Sequence, residues 1–368
     1  MNGLSAAALG ALLLSLAACS APAAAPGAPA PPAAAAPAQS TAPAASGSAP
    51  AAAPAPATVK VGVTPLLTVS GLFVALDKGY FTEQGIELAM ENITDPTTMV
   101  PSLATGQIDV GNGAMSAGLW NAIARGADLR LVALQSWIPP GVEGAGYVVR
   151  RADLDSGAIG DYPTLRGKRV TNNGTGNYTQ IVLAKAAEKG GLTLADLDVV
   201  DMGQPDAVVA LANGSIDVAT LSEPLRTATL KQDWAAQWKD YSEISPGQQA
   251  SAWVYSPQFA RERPEVGRRM MVALLRGIRE VYDAFNRDVN RDEILDIVTR
   301  YLAVRDKSQY AGLRAQVHPN GEFDLERLQG DVDWYVANGF SPQRVDVTRT
   351  IDRGFIDYAL QQLGRYPQ

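Results

Sequence analysis

"LATGQIDVGNG" (residues 103–113) and "LANGSIDVATL" (residues 211–221) share the pattern Leu-Ala-x-Gly-x-Ile-Asp-Val at an offset of 108 residues. Such a repeat means that one structural unit is used twice. Working outward, "TVKVGVTP" (58–65) alternates and ends in Thr64-Pro65, which reads as a strand followed by a loop. "GLFVALDKGYF" (71–81) places Leu72, Ala75, Leu76 and Gly79 at helical spacing, with Ser70 as the N-cap. "IELAMENI" is a second strand, "TTMVPSLATG" a short helix closed by Gly106, and "IDVGNG" a third strand. Shifted by 108, Lys60 falls on Lys168, and "KRVTNNGTGNYTQIVLAKAAEKGGL", "LDVVDM", "DAVVALANG" and "IDVATL" repeat the series over about fifty residues without a gap. Two βαβαβ units follow, each expected to form a parallel sheet with right-handed crossovers. Gly106 and Gly214 are expected in the left-handed conformation that ends helices. Asp109 and Asp217, at strand entrances, are expected to accept backbone N–H groups rather than bind a ligand.

The 368 residues, 46% apolar and 19% charged, allow a buried core in more than one lobe. A net charge of −7 without any run of Lys or Arg argues against a nucleic-acid surface. The single histidine, His318, lies in a polar "HPNGEF" turn and reads as an exposed loop residue; the single cysteine, Cys19, has no partner. Disulfides, zinc and Cys/His nucleophilic catalysis are therefore set aside, and no metal or cofactor is expected.

"LSAAALGALLLSLAACS" (4–20) holds an apolar run of about a dozen residues, too short to span about 30 Å of hydrocarbon, and reads as an export signal over 1–18. Leu16-Ala17-Ala18-Cys19 resembles a bacterial lipobox, which implies cleavage before Cys19, lipidation of its thiol and an extracytoplasmic, membrane-anchored protein. Residues 19–57 are almost entirely Ala, Pro, Gly, Ser and Thr, and read as a disordered tether.

Open parallel sheets bind ligands outside the carboxyl ends of their strands. Here those ends are "TPLLTVSG" (64–71), "GNGAMSAG" (111–118), "NNGTGNYT" (172–179) and "TLSEPL" (220–225), all rich in hydroxyls, amides and glycine and all leading into helices. Facing each other, they would form a cleft for a small polar solute. The candidate ligand-binding residues are Thr64, Ser70, Asn112, Met115 and Ser116 from one half and Thr175, Asn177, Tyr178 and Glu223 from the other, with Trp137 and Trp253 near the junction to cover an apolar body. Ser70 and Thr175 are expected to donate hydroxyl hydrogen bonds beside helix N-termini. An ionised Glu223 would disfavour a bare anion and favour an ammonium or N–H donor, which points to a neutral or zwitterionic solute. No paired acid/base or nucleophile arrangement stands out, so no catalytic residue is assigned.

Together, "DKGYFTEQGIELAM", "LATGQIDVGNG", "LRGKRVTNNGTGNYTQIVLAKAAEKGGL", "LSEPL", "SPQFARERPE" and "GFIDYAL" resemble the substrate-binding proteins of ABC importers for sulfonates, taurine, nitrate and thiamine precursors. The similarity runs from about Val59 to Leu363. It implies an α/β, type II periplasmic binding protein fold: two lobes, each a central sheet flanked by helices, joined by a two-strand hinge. Lobe one would comprise 58–148 and 250–368 and lobe two 149–249, with crossings near Gly146–Arg150 and Ser251–Tyr255. The amphipathic C-terminal helices, with Val272, Leu275 and Ile278 on one stripe, would pack on lobe one together with Trp334 and Phe355.

The implied function is that of a monomeric lipoprotein delivering an aminosulfonate, taurine-like or pyrimidine thiamine-precursor-like solute to an ABC permease and its ATPase. An extracytoplasmic sensor acting on a signalling partner is the alternative. A third reading is an enzyme of the same fold, from a pyrimidine or menaquinone pathway. The pyrimidine-forming relatives carry a cysteine-rich motif and use histidine and iron, from which this sequence departs with its one Cys and one His.

Overall fold

The alternation in "TVKVGVTP" becomes β1 (Ala57–Val63), in which Val59, Val61 and Val63 are buried while Thr58 and Lys60 face solvent. The structure, a computed structural model, describes residues 55–93 and 99–367. The expected export signal, Cys19 and the tether as far as residue 54 lie outside the described residues.

β1 is flanked by β2 (Ile86–Asn92) and β3 (Val110–Ala114), both parallel to it, with Val61 opposite Val110. With β4 (Arg130–Trp137) and β10 (Gln249–Tyr255) they form a sheet ordered β2-β1-β3-β10-β4, in which β10 is antiparallel to both neighbours. A second sheet repeats the plan as β7-β6-β8-β5-β9, from β5 (Ala145–Arg150), β6 (Arg169–Asn172), β7 (Asp198–Asp201), β8 (Val218–Ser222) and β9 (Ala235–Asp240). Here β6 runs parallel to β7 and β8, and β5 is antiparallel to β8 and β9. The sheets are thus mixed rather than wholly parallel. Each takes in one strand that enters from the other half at the edge where the parallel strands end, and a strand entering there must run back against them.

The repeat is also offset by one residue. Asp109 accepts Lys60 N at 2.9 Å, whereas Asp217 accepts Arg169 N, not Lys168 N, at 2.8 Å. The aspartates are 108 residues apart but the strands they anchor are 109 apart. Both carboxylates do take backbone N–H groups, and Gly106 (φ 72°) and Gly214 (φ 79°) are left-handed, as expected.

Gly146–Arg150 and Ser251–Tyr255 are strands, but neither is a crossing. The first lies in β5, inside the second sheet, and the other in β10, inside the first. Strand patterning marks an extended run without saying which sheet receives it. The chain passes over at 138–144 and 245–248, where the two runs pair: Ile138 N donates to Gln248 O (2.8 Å) and Gly247 N to Ile138 O (2.7 Å).

The C-terminal helices close the first half. Met270, Leu274, Ile278 and Val281 of the helix Pro264–Arg287 are buried against the helix Ser70–Asp77. Phe355 packs edge-on to Tyr255 with ring centroids 4.9 Å apart, and Trp334 stacks on Phe340 at 5.5 Å. Among the described residues no helix is long and apolar enough to cross a membrane.

The two helix backbones touch at Gly71 and Gly277. A Cβ on Gly277 would overlap the Gly71 carbonyl oxygen, and one on Gly71 would come within 2.6 Å of Ile278. Gly277→Ala should therefore destabilise the protein by about 1–3 kcal/mol or more. Gly330→Ala, exposed in the helix Leu325–Ala337 with nothing near its Cβ, should stabilise it by about 0.4–1 kcal/mol. Denaturant unfolding of both variants checks the pair, and equal shifts would remove the close-approach argument.

Candidate functional site

The loops at the carboxyl ends of the two sheets face each other. Ala117 N, from the β3 loop, donates to Gly176 O, from the β6 loop, at 2.8 Å. Gly176 has φ 73°, and a Cβ there would come within 2.9 Å of Ala117 Cβ, so glycine permits this approach. Beside it, Ile181 of the helix Tyr178–Lys189 is buried in the core of the first half with Met115, Ala117 and Tyr335. The halves are closed against each other on this flank.

On another part of the junction lies a cavity of about 580 Å³. Glu143 lines it at the first crossing, Glu223 and Arg226 from the second half, and Trp137, at the end of β4, with Tyr282 and Leu313 from the first. Of the residues expected at the site, Trp137 and Glu223 line this cavity.

The others fall around the two loop layers. Thr64 N donates to Asn112 Oδ1 (3.2 Å) and Thr64 Oγ1 to Ile93 O (3.2 Å), which ties the β1 and β3 loops together. Ser116 caps its helix through Leu119 N (3.4 Å), and Met115 is buried, its carbonyl accepting Tyr335 OH at 3.0 Å. Asn177 caps the Tyr178 helix through Thr179 N (3.3 Å). Tyr178 is half-buried, with Tyr147, Tyr241 and Tyr335 nearby, and burial pushes its hydroxyl up to about 12. Trp253 is fully buried in the core of the first half.

Three expectations change. Ser70 is not an N-cap: a 3₁₀ turn, Leu67–Val69, precedes it, Val69 takes the cap position, and the Ser70 hydroxyl is buried without a partner among the described residues. Thr175 donates its hydroxyl to the Asp201 carboxylate instead of standing free beside a helix N-terminus. His318 is buried rather than exposed: Nδ1 accepts Asn320 N (3.3 Å) and Glu322 N (3.4 Å), and its ring lies 5.3 Å from that of Trp137. Burial lowers its pKa.

Glu223 also differs in its chemistry. Its Oε1 is 2.9 Å from Arg226 Nη1 and its Oε2 accepts Thr227 N at 3.1 Å, so both oxygens are engaged and the side chain is 6% exposed. Arg226, 5% exposed, also pairs with Glu143 (2.9 Å) and Asp240 (3.4 Å) and bonds to Gln237. Burial raises the Asp240 pKa. Glu223 is thus committed to Arg226 and is no free acceptor for an ammonium group. Glu143, 66% exposed, also lines the cavity and gives only its Oε2 to Arg226. Glu143 and Tyr282 were not anticipated. Glu223 and Arg226 stand three residues apart at a helix start, a spacing that signals their pairing, but nothing local links them to Glu143 or Asp240.

Two mixed sheets, paired crossings and a cavity lined from both halves define an α/β protein of the type II periplasmic binding protein fold. The chain aligns with the periplasmic aliphatic sulphonate binding protein SsuA of Escherichia coli at a TM-score of 0.67 and 18% identity, covering 81% of this chain and 92% of that one. It aligns with the periplasmic nitrate-binding protein NrtA of Synechocystis PCC 6803 at a TM-score of 0.67 and 14% identity, covering 85% and 90%. Residues 67–284 match the NMT1/THI5 like family, and the chain belongs to that family. It is 25% identical over 173 residues to the 4-amino-5-hydroxymethyl-2-methylpyrimidine phosphate synthase of Aspergillus parasiticus, 47% of either chain. It is 26% identical over 234 residues to a Brucella abortus (strain 2308) protein provisionally named as a binding protein, 63% of this chain and 67% of that one. The chain spans about half the length of the synthase relatives it matches.

Removing Arg226 leaves buried carboxylates uncompensated. Arg226→Met should lose on the order of 3–5 kcal/mol of stability at neutral pH. Arg226 opposes the rise that burial gives the Asp240 pKa; without it Asp240 holds a proton more readily folded than unfolded, so the deficit should narrow as pH falls. Urea unfolding at pH 5 and pH 8 reads both effects; an equal deficit at the two would contradict the cluster's ionic character.

Proposed function

We propose that this protein is the solute-binding component of an ABC importer, capturing a small polar organic solute between its lobes and presenting it to a permease. The observation that carries this reading is the cavity at the crossings, lined from both halves and from the run that joins them. A solute there touches the second lobe fully only when the lobes are closed, so it selects the closed state from an open–closed equilibrium. Family membership and the shared fold support the reading. Export, lipidation at Cys19 and tethering to the membrane are part of the proposal and rest on the sequence alone.

The lining favours a neutral or zwitterionic solute over a simple inorganic anion. Trp137, Val142 and Leu313 offer apolar surface for a carbon skeleton, Tyr282 offers a ring, and Glu143 offers a carboxylate to an ammonium or N–H donor. Arg226 is already shared among acidic partners, while Arg314, which also lines the cavity and donates to Asn286 O, offers a cation to the acidic end of a zwitterion opposite Glu143. An aminosulfonate such as taurine, or an aminopyrimidine, fits this set. The wider ring of Thr64, Asn112, Ser116, Asn177 and Tyr178 is assigned to the walls of the cleft.

The synthase relatives raise a catalytic reading. His318, the one histidine, has Nδ1 committed to two backbone N–H groups, which favours binding over chemistry here.

Isothermal titration calorimetry with taurine, 4-aminopyrimidine, methanesulfonate and nitrate tests the reading. The amine-bearing solutes should bind, with Glu143→Gln weakening them about tenfold, equivalent to about 1.4 kcal/mol. Equal or tighter binding of nitrate or methanesulfonate would contradict the solute class. Binding unaffected by both Glu143→Gln and Trp137→Ala would remove the cavity as the site.

A further inference from the structure

Where the two halves meet beside the second crossing, a hydrogen-bonded network joins three elements. Lys185, on the helix Tyr178–Lys189 of the second half, donates from Nζ to Ser245 Oγ (3.0 Å) and Gln248 Oε1 (3.2 Å), both on the crossing. Gln248 donates its Nε2 to Asp331, and Arg327 donates to Ser245 Oγ (3.0 Å); both acceptor and donor sit on the helix Leu325–Ala337 of the first half. Ser245, Gln248 and Asp331 are all nearly inaccessible to solvent. The helices so joined lead directly to the mouths. One begins at Tyr178, and the other carries Tyr335, which binds the Met115 carbonyl.

We propose that the Lys185–Ser245–Gln248–Asp331 network is a latch that holds the lobes together before any solute arrives, and that protonation of Asp331 strengthens it. Opening the lobes would hydrate Asp331, and burial in the closed form disfavours its charge.

The groups that set this balance can be named. From the facing helix come Lys185 and, behind it, Glu188; from its own helix come Arg327, the capping Asp324 and Tyr335; the crossing contributes the uncharged Ser245 and Gln248. Burial outweighs Lys185 and Arg327 and raises the Asp331 pKa to about 6. Burial also lowers that of Lys185. A closed form that holds the proton more tightly than the open form is favoured most below the usual carboxylate range, and that advantage fades as pH rises through about 6. If opening fully hydrates the carboxyl, the closing equilibrium changes by up to on the order of 100-fold between the two limits. Acidification would therefore close the empty protein.

The latch rests on the lobe-closure reading, but its test needs no solute, so its failure is distinct from a failure of solute binding. Spin labels on Val209→Cys and Val289→Cys, exposed positions in different halves, in a Cys19→Ser background, report the interlobe distance of the empty protein. The distance should lengthen between pH 5 and pH 8. With Asp331→Asn it should stay short throughout. Lys185→Gln, which loses its bonds to the crossing, should lengthen it at both pH values and keeps the test open should Asp331→Asn fold poorly. A distance independent of pH in the otherwise unchanged protein, the same pH response in Asp331→Asn, or no change in Lys185→Gln would each overturn the latch.

Discussion

The paired crossings, held by Ile138 N to Gln248 O and Gly247 N to Ile138 O, are the constraint on which the rest depends. The chain leaves the first sheet at the end of β4 and returns into it at β10, and those two strands are themselves neighbours, with Trp137 opposite Gln249. The crossings therefore continue an existing ladder. The same passage delivers β5 to the second sheet and β10 to the first, each as the antiparallel strand between parallel strands and an edge. Neither lobe completes its sheet without a strand that comes straight from a crossing.

The two flanks of the crossings have different chemistry. On one, Ile181 enters the core of the first half and Ala117 meets Gly176, so the contact there buries apolar surface and pairs backbone groups. On the other, the cavity is bordered by Arg226 with Glu143 and Glu223, and by Arg314; Asp240, behind the lining, completes the carboxylates around Arg226, which hold the end of β8 and its loop in place. A buried cation surrounded by acids fixes geometry more than it adds stability, because desolvation offsets much of the attraction. Glu143, the partner that remains exposed, keeps a carboxylate at the cavity wall.

What was legible in the sequence was local or periodic. The duplicated "IDV" strands, the left-handed Gly106 and Gly214 and the anchoring Asp109 and Asp217 follow from short-range backbone demands that each copy must satisfy separately. The one-residue offset between Lys60 and Arg169 was hidden because a lysine, Lys168, stands at the 108-residue spacing set by the aspartates, while the strand that Asp217 anchors begins one residue later. The place of β5 was missed because alternation shows that a run is extended and not where it pairs. His318 looks like a surface turn beside its proline, yet Trp137, far away in sequence, covers it. Glu223 drew attention for its charge, but Glu143 and Asp240, which complete its neighbourhood, come from segments that share no pattern with it. The network that joins Lys185 to Asp331 through Gln248 was likewise outside the reach of periodicity.

The most direct test is the crystal structure of the protein with a solute found by calorimetry. The account requires that solute to be enclosed at the crossings, with Trp137 or Tyr282 of the first lobe on one side and the Glu223–Arg226 segment of the second on the other. A solute bound on one lobe alone, away from these residues and with the lobes unchanged, would contradict it.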